Sequence, residues 1–254
     1  APWGILTGIR PVKIVHSLLD EGVKDEEILK ILMEQYKLVK EKGELILDIA
    51  SKQRKHIYPL DEKRFSLYVA IPFCPTRCLY CSFPSCNIGE FGYLEDEYTD
   101  KLIYEIQKIG ELMHDKDIST VYIGGGTPTA IATKNLERII HSIYKNFDRD
   151  NIKEVTVEAG RPDTIDIKVL EMLNKNKVDR ISINPQTMND KTLKLVGRKH
   201  NSQDIIDSYN MAKEIGFDVI NMDLIVGLPS EGLEEIKTTL DMIELLNPEN
   251  LTVH

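Results

Sequence analysis

The stretch "SLYVAIPFCPTRCLYCSFPSC", residues 66–86, joins a strand-like apolar run to all four cysteines of the 254-residue chain. Cys74, Cys78 and Cys81 are spaced as Cys-x3-Cys-x2-Cys, and Cys86 follows them. Disulfides are rare in reducing compartments, where clustered cysteines more often bind metal or do chemistry. The stretch therefore predicts a metal-binding loop directly after a β-strand.

The thiol spacing leaves several kinds of site open. Structural zinc sites usually pair two knuckles across a longer loop, so a single loop fits zinc poorly. A conventional iron–sulfur cluster would use all four cysteines. Alternatively, Cys74, Cys78 and Cys81 hold three irons of a 4Fe-4S cluster, and the fourth iron stays open to a ligand. Cys86 would then be a small buried thiol.

From Phe65 onward, strand-like and helix-like segments alternate. Such alternation predicts βαβ units, a parallel sheet and right-handed crossovers. The expected strands are "SLYVAIP", "STVYIGGG", "KEVTVEA", "DRISINP", "FDVINMDLIVGLP" and "NLTVH". We therefore predict an α/β fold, with a partial (β/α)6 barrel over residues 59–254 behind a helical N-terminal segment over residues 1–58. The polar, proline-containing residues 56–64 are expected to be a linker.

Within the N-terminal segment, one helix is expected to begin with Asp25 as its cap. Ile28, Leu32, Tyr36 and Val39 follow at helical spacing. The chain starts without Met and ends on a strand-like run, so we expect it to be a fragment of a longer protein.

The composition restricts the class of protein. The net charge of −9 argues against a general nucleic-acid binder, which usually has a basic face. No apolar run approaches the length of a membrane span, and the N-terminus lacks the pattern of a secretion signal. We therefore predict a cytoplasmic protein with no membrane span and no nucleic-acid partner.

Glycine and polar residues fall at the carboxyl ends of the predicted strands, where parallel sheets bind ligands. The glycine run at residues 124–126 ends the second strand, and Glu158 ends the third. Gln186 follows the fourth strand, and Asp223 lies late in the fifth. The absence of Lys-Ser/Thr after the glycines argues against a phosphate-binding loop. We expect these residues to share one mouth with the cysteine loop.

The cysteine spacing after a first barrel strand resembles the cluster loop of the radical S-adenosylmethionine (SAM) superfamily. The resemblance implies two cofactors, a 4Fe-4S cluster held by Cys74, Cys78 and Cys81, and SAM bound to the open iron. In that family the reduced cluster cleaves SAM, and the resulting 5′-deoxyadenosyl radical abstracts hydrogen from a substrate.

A narrower resemblance rests on "YVAIPFCPTRCLYCSF", "GGGTPT", "VEAGRPD", "RISINPQTMN", "LKLVGRKH" and "DLIVGLP". Together they are similar to oxygen-independent coproporphyrinogen III oxidases over residues 65–254, and "PWGILTGIRP" is similar to their N-terminally extended branch. The resemblance implies oxidative decarboxylation of coproporphyrinogen III in haem biosynthesis. It also implies a tetrapyrrole substrate, an electron donor such as flavodoxin or ferredoxin, and a monomer.

Two rivals stay open beside this interpretation. One is a non-catalytic haem-binding chaperone that keeps the cluster loop. The other is a redox or structural iron–sulfur module in which Cys86 is the fourth ligand. The chain departs from the best-known relatives at Phe83, where they have a further cysteine, and this puts the role of Cys86 in question.

The resemblance also implies a set of SAM-binding residues. They are Tyr68, Tyr80, Gly125, Gly126, Thr127, Glu158, Gln186, Arg198 and Asp223. Tyr68 would approach the site and Tyr80 would support the adenine, while the glycines and Thr127 would contact the methionine group. Arg198 suits a carboxylate because its guanidinium binds as a fork. Gln186 and Asp223 are expected near the ribose, and Glu158 near the ribose or the amino group.

The sequence does not identify a catalytic residue. Five histidines lie in predicted helices or polar loops and show no metal-ligand pairing, namely His16, His56, His114, His141 and His200.

Overall fold

The computed structural model describes residues 1–6, 10–58 and 60–254. The chain forms two compact units, residues 1–62 and residues 63–254. The division between the two units falls between Glu62 and Lys63. Residues 7–9 of the "PWGILTGIRP" segment and Pro59 of the predicted linker lie outside the described residues.

The described part of residues 1–62 is mainly helical. Its helices are α1 (Val12–Asp20), α2 (Asp25–Glu34) and α3 (Lys40–Ile57). Val15, Ile28, Leu32 and Ile46 are buried in a core that belongs to this unit. Near the N-terminus, the Lys42 ammonium lies 5.0 Å from the centre of the Trp3 ring, a cation–π contact.

Helix α2 differs from the prediction at both ends. Lys24 is its N-cap, and Asp25 is its first helical residue. The helix ends at Glu34, because Lys37 takes a left-handed conformation with φ of 60° that a right-handed helix cannot include. Tyr36 and Val39 therefore follow the helix instead of extending its apolar face.

Residues 63–254 alternate strands and helices. The elements are β1 (Arg64–Ile71), β2 (Phe73–Cys74), β3 (Cys86–Asn87), α4 (Ile88–Phe91), α5 (Glu95–Leu112), β4 (Asp117–Gly125), α6 (Thr133–Asn146), β5 (Glu154–Glu158), α7 (Ile167–Lys175), β6 (Arg180–Ser182), α8 (Asp190–Leu195), α9 (Ser202–Ile215), β7 (Val219–Leu224), α10 (Leu233–Leu246) and β8 (Asn250–Val253). The main sheet has the order β1-β4-β5-β6-β7-β8, and every neighbouring pair is parallel. The predicted six-stranded parallel sheet of a partial barrel is confirmed.

One face of this sheet packs against the helices. Alternate residues of β1, Leu67, Val69 and Ile71, are buried in the core of the unit. Each fully buried aliphatic side chain contributes about 1.5–3 kcal/mol relative to exposure, so this core makes a stable scaffold. The other face carries Tyr68, which is 54% exposed.

The register brings the ends of the strands together. Ile71 at the end of β1 pairs with Gly125 at the end of β4, and Glu158 of β5 pairs with Ser182 of β6. Because all the strands run in the same direction, their carboxyl ends meet along one edge. In the described part of the chain, no helix combines the length and apolarity needed to cross a bilayer.

Candidate functional site

A cavity of about 270 Å³ opens at the carboxyl ends of the strands. Its walls include almost all of the residues predicted for the site. These are Cys74, Cys78, Tyr80, Cys81, Gly125, Gly126, Thr127, Glu158, Gln186, Arg198 and Asp223. Tyr68 is not among them. The fold therefore brings residues from four strand ends, Arg198 and the cysteine loop to one place.

The cysteine loop is closed at its base by the short parallel pair β2–β3. Phe73 pairs with Cys86, and Cys74 pairs with Asn87. The Cys86 backbone N–H donates to the Pro72 carbonyl at 2.8 Å, and its thiol lies 3.5 Å from the same oxygen. Cys86 thus fastens the end of the loop to its start, outside the cavity lined by the other three thiols.

Among the described residues, no group of three His, Cys, Asp or Glu side chains stands close enough to hold one metal ion. A single zinc ion needs all its thiolates within about 2.3 Å of one point. In a cluster, by contrast, each cysteine binds a separate iron, so the sulfurs stand further apart. The three thiols around the cavity are compatible with that wider arrangement.

The glycine turn after β4 forms a cradle beside Cys74. A Cβ on Gly126 would lie 2.9 Å from Cys74 Sγ and 2.8 Å from the Phe73 carbonyl, closer than real Cβ atoms approach. Gly125 has a φ of 107°, a conformation that side chains disfavour. The Thr127 hydroxyl lies 3.5 Å from Cys74 Sγ. The turn therefore leaves room for a group bound at this thiol, and the residues present fit a cluster with a ligand at its open side.

Arg198 reaches the cavity from the turn after α8 and is 8% exposed. Its Nη1 donates to the Asn184 carbonyl at 2.6 Å, and its Nε donates to the Tyr80 hydroxyl at 3.2 Å. Burial raises the pKa of Tyr80 to about 12, even though Arg198 opposes the shift. Tyr80 therefore stays neutral, and the Arg198 charge is available for an anionic ligand.

A chain of polar side chains runs behind Arg198. Its Nη1 lies 3.4 Å from His200 Nε2, and His200 Nδ1 lies 3.3 Å from an Asp163 carboxylate oxygen. Arg161 donates to both oxygens of Asp163. Since Arg198 can only donate, Nε2 must accept, which places the imidazole proton on Nδ1.

The carboxylate of this chain is charged and the imidazole is neutral. Burial alone would raise the pKa of Asp163, but hydrogen bonds from His200 and Arg161 hold it well below its ordinary range. Burial lowers the pKa of His200, and the Asp163 carboxylate opposes this shift only partly. Sequence reasoning missed Arg161, Asp163 and His200. The available signal was that "GRPD" follows a predicted strand end.

On the other side of the cavity, Glu158 accepts a hydrogen bond of 2.6 Å from the Tyr122 hydroxyl. Burial raises the pKa of Glu158, and Asp223 raises it further, while Tyr122 opposes both. The Tyr68 ring stacks on the Tyr122 ring with centroids 5.6 Å apart. Tyr68 therefore lies against Tyr122, which the sequence did not single out, and Glu158 is close enough to contribute, after burial, to the raised pKa of Tyr68.

Gln186 has a left-handed backbone with φ of 67°. Its N–H donates to the Asp223 carbonyl at 2.9 Å, and its carbonyl accepts from the Ile225 N–H at 2.9 Å. These bonds extend the β6–β7 pairing past the end of β6 and hold the strained residue in place. Non-glycine residues in this conformation cost on the order of 1–3 kcal/mol and cluster at functional sites.

Comparisons with known proteins agree with this geometry. The sequence profile of the Radical SAM superfamily matches residues 68–243. The oxygen-independent coproporphyrinogen-III oxidase-like protein HemZ of Bacillus subtilis is 44% identical over 99% of this chain and 51% of its own length. The heme chaperone HemW of Lactococcus lactis is 36% identical over 74% of this chain and 48% of its own length.

Among solved structures, the coproporphyrinogen III oxidase HemN of Escherichia coli, described as a radical SAM enzyme, matches with a TM-score of 0.69. The identity is 33%, and the match covers 81% of this chain and 46% of that one. The chain thus spans about half the length of the relatives it matches.

Proposed function

The chain belongs to the radical SAM superfamily, whose members bind a 4Fe-4S cluster and SAM, and from this premise we propose that Cys74, Cys78 and Cys81 hold the cluster. The observation that carries the proposal is that these three thiols line the cavity while Cys86 is bonded to Pro72 outside it. Together, the bound cofactors supply the one-electron chemistry of the family.

The side chains around the cavity divide the recognition of SAM between them. The buried Arg198 guanidinium offers a fixed positive charge to the carboxylate of the methionine group. Glu158, with its raised pKa, and Asp223 offer oxygen acceptors to the amino group or the ribose hydroxyls. Gln186 is held by its strained backbone at the same mouth. Tyr80 presents an aromatic face for the adenine.

The reaction that we propose is the oxidative decarboxylation of coproporphyrinogen III propionates to vinyl groups. Removal of a hydrogen atom from the propionate β-carbon, followed by loss of CO2 and one electron to an acceptor, leaves the vinyl group. Support comes from the 33% identity to HemN and the 44% identity to HemZ. In this role the chain's residues bind and orient SAM beside the tetrapyrrole and keep water out.

A haem chaperone is the second candidate function. It is favoured by the 36% identity to HemW over 74% of the chain, which is close to the identity with HemN. The two candidates differ in outcome, because a chaperone binds haem without converting coproporphyrinogen.

The deciding experiment uses the full-length protein, reconstituted anaerobically with iron and sulfide. It is incubated with SAM, dithionite and coproporphyrinogen III, and the products are analysed by mass spectrometry. We expect protoporphyrinogen IX together with 5′-deoxyadenosine and methionine. Stoichiometric haem binding in an absorbance titration, with no decarboxylated product, would establish the chaperone instead.

Single cysteine variants test the cluster itself. Cys74→Ala, Cys78→Ala and Cys81→Ala should each lose the four-iron absorbance, whereas Cys86→Ala should retain it. Loss in Cys86→Ala alone would show a site built around the fourth thiol, and the proposed function would then be abandoned.

A further inference from the structure

Arg161 is a buried cation that contacts the cysteine loop from a different strand end. Its side chain is 4% exposed, and its Nη1 lies 3.7 Å from Cys78 Sγ, within reach of an N–H···S hydrogen bond. The same nitrogen donates to the Thr76 carbonyl at 3.1 Å and to the Thr76 hydroxyl at 2.9 Å. Arg161 thus holds the loop both at a thiol and at the backbone two residues before it.

The direction of this contact is set from the other side of the guanidinium. Nε and Nη2 donate to separate oxygens of Asp163 at 3.1 and 3.2 Å. Asp163 is also bonded to His200, which is buried. A planar guanidinium held by a fork has little freedom to rotate, so its remaining nitrogen, Nη1, is directed at the loop, where Thr76 and Cys78 both lie within its reach.

We propose that Arg161 is a positioning residue for the cluster, whose N–H···S hydrogen bond and positive charge at Cys78 raise the reduction potential. Hydrogen bonds to sulfur and local charge are two of the means by which proteins set such potentials. Reduction adds one negative charge to the cluster, and a cation in a poorly solvated site stabilises that charge more than it would in water. The inference rests on the proposed ligation by Cys78 but not on the substrate.

A substitution of Asp163 should shift the reduction potential in the opposite direction to a substitution of Arg161. Its carboxylate neutralises part of the Arg161 charge at close range. Asp163→Asn keeps an oxygen that can accept from Arg161 but removes the negative charge. Less of the Arg161 charge is then neutralised, so the reduced cluster is stabilised more and its reduction potential should rise.

The test measures the midpoint potential of the reconstituted cluster without SAM, by anaerobic dithionite titration followed by EPR of the reduced state. Arg161→Gln should shift the reduction equilibrium about tenfold toward the oxidised form, which is about 59 mV more negative for a one-electron couple. Arg161→Lys, which keeps the charge but loses the fork, should shift it less in the same direction. Iron content is measured on every sample.

Arg180→Gln is the matched control. Arg180 is also paired with a carboxylate, Glu154 at 2.9 Å, but it lies at the start of β6, away from the cavity. The cluster of Arg180→Gln should have the same midpoint potential as the cluster of the unmodified protein. Equal potentials in Arg161→Gln and the unmodified protein, or equal shifts in Arg161→Gln and Arg180→Gln, overturn the proposal.

A second variant decides the case if Arg161→Gln takes up no iron. A higher potential in Asp163→Asn then supports the proposal, and an unchanged or lower one overturns it. Failure of the unmodified protein to bind a cluster would instead contradict the proposed function, so the two failures are distinguishable.

Discussion

At the scale of single residues, Arg198 should be sensitive even to a change that keeps its charge. We expect Arg198→Lys to weaken SAM binding, because a lysine cannot donate from a planar fork while also reaching the Asn184 carbonyl and Tyr80 hydroxyl. Losing one charge-assisted hydrogen bond costs about 1.5–3 kcal/mol, which calorimetry of the reconstituted protein resolves. Arg138→Lys, on the helical side of the unit and paired with Asp100, is the control. Equal affinities of Arg198→Lys and the unmodified protein would remove Arg198 from the SAM site.

Glu158 should make stability depend on pH. Burial raises its pKa, so above the ordinary carboxyl pKa the folded state holds more protons than the unfolded state. The free energy of unfolding should therefore fall as pH rises from the ordinary pKa through the raised one. We expect Glu158→Gln to remove this loss, so that the variant gains on the unmodified protein as pH rises.

Denaturant unfolding between pH 4 and pH 8 checks this. Tyr122→Phe provides a second comparison, because it removes the hydrogen bond that lowers the Glu158 pKa and should therefore enlarge the total loss of stability as pH rises. Parallel pH profiles for the unmodified protein and Glu158→Gln would contradict the expectation.

At the scale of elements, the end of β4 has to pass unusually close to the cysteine loop. Gly126→Ala would place its Cβ 2.8–2.9 Å from the Phe73 carbonyl, Cys74 Sγ and the Ile71 carbonyl. Two of these atoms are backbone, so relief requires the loop to shift. Overpacking of this kind costs about 1–3 kcal/mol. We expect a lower melting temperature and reduced iron uptake.

Gly92→Ala is the matched control, because its Cβ would meet only Ile88 Cγ1 at an ordinary 3.5 Å. Thermal melting and iron analysis of the two variants side by side give the answer. Normal iron uptake and stability in Gly126→Ala would mean that the turn has more room than the structure indicates.

Elements with a strong repeating pattern were predictable from the sequence. The six strands of the main sheet coincide with the apolar runs that predicted them. Helix boundaries that depend on one local conformation or one cap were not predictable. The end of α2 depends on the left-handed backbone of Lys37. Helix α7 begins at Ile167, after a short 3-10 turn, because the Asp166 side chain accepts a hydrogen bond from the Val169 N–H.

Part of the cavity wall was predictable from positions in the chain. Gly125 and Gly126 at a strand end and Arg198 in a motif quoted from the sequence all line the cavity, while their roles stay predictions. Arg161, Asp163 and His200 could not be found this way, because charged residues in a loop usually face solvent. Only the fold shows that these three meet behind the cysteine loop, where Arg161 and His200 are buried and Asp163 is partly exposed.

At the scale of the whole molecule, each unit has a hydrophobic core of its own. The residues that line the cavity all lie between Cys74 and His254, within the second unit. We therefore expect a chain lacking residues 1–62 to keep its iron content and its SAM affinity. Iron analysis and calorimetry check this beside the longer chain. A folded but iron-free product would show that the helical unit supports the cluster.

The place of Trp3 has a practical consequence for such work. It is the single tryptophan of the chain, and it lies against Lys42 within residues 1–62. Tryptophan fluorescence therefore reports on the helical unit alone, whereas the near-ultraviolet circular dichroism of the second unit comes mainly from its tyrosines. Following both signals during one denaturation resolves, without any label, whether the two units melt together or in turn.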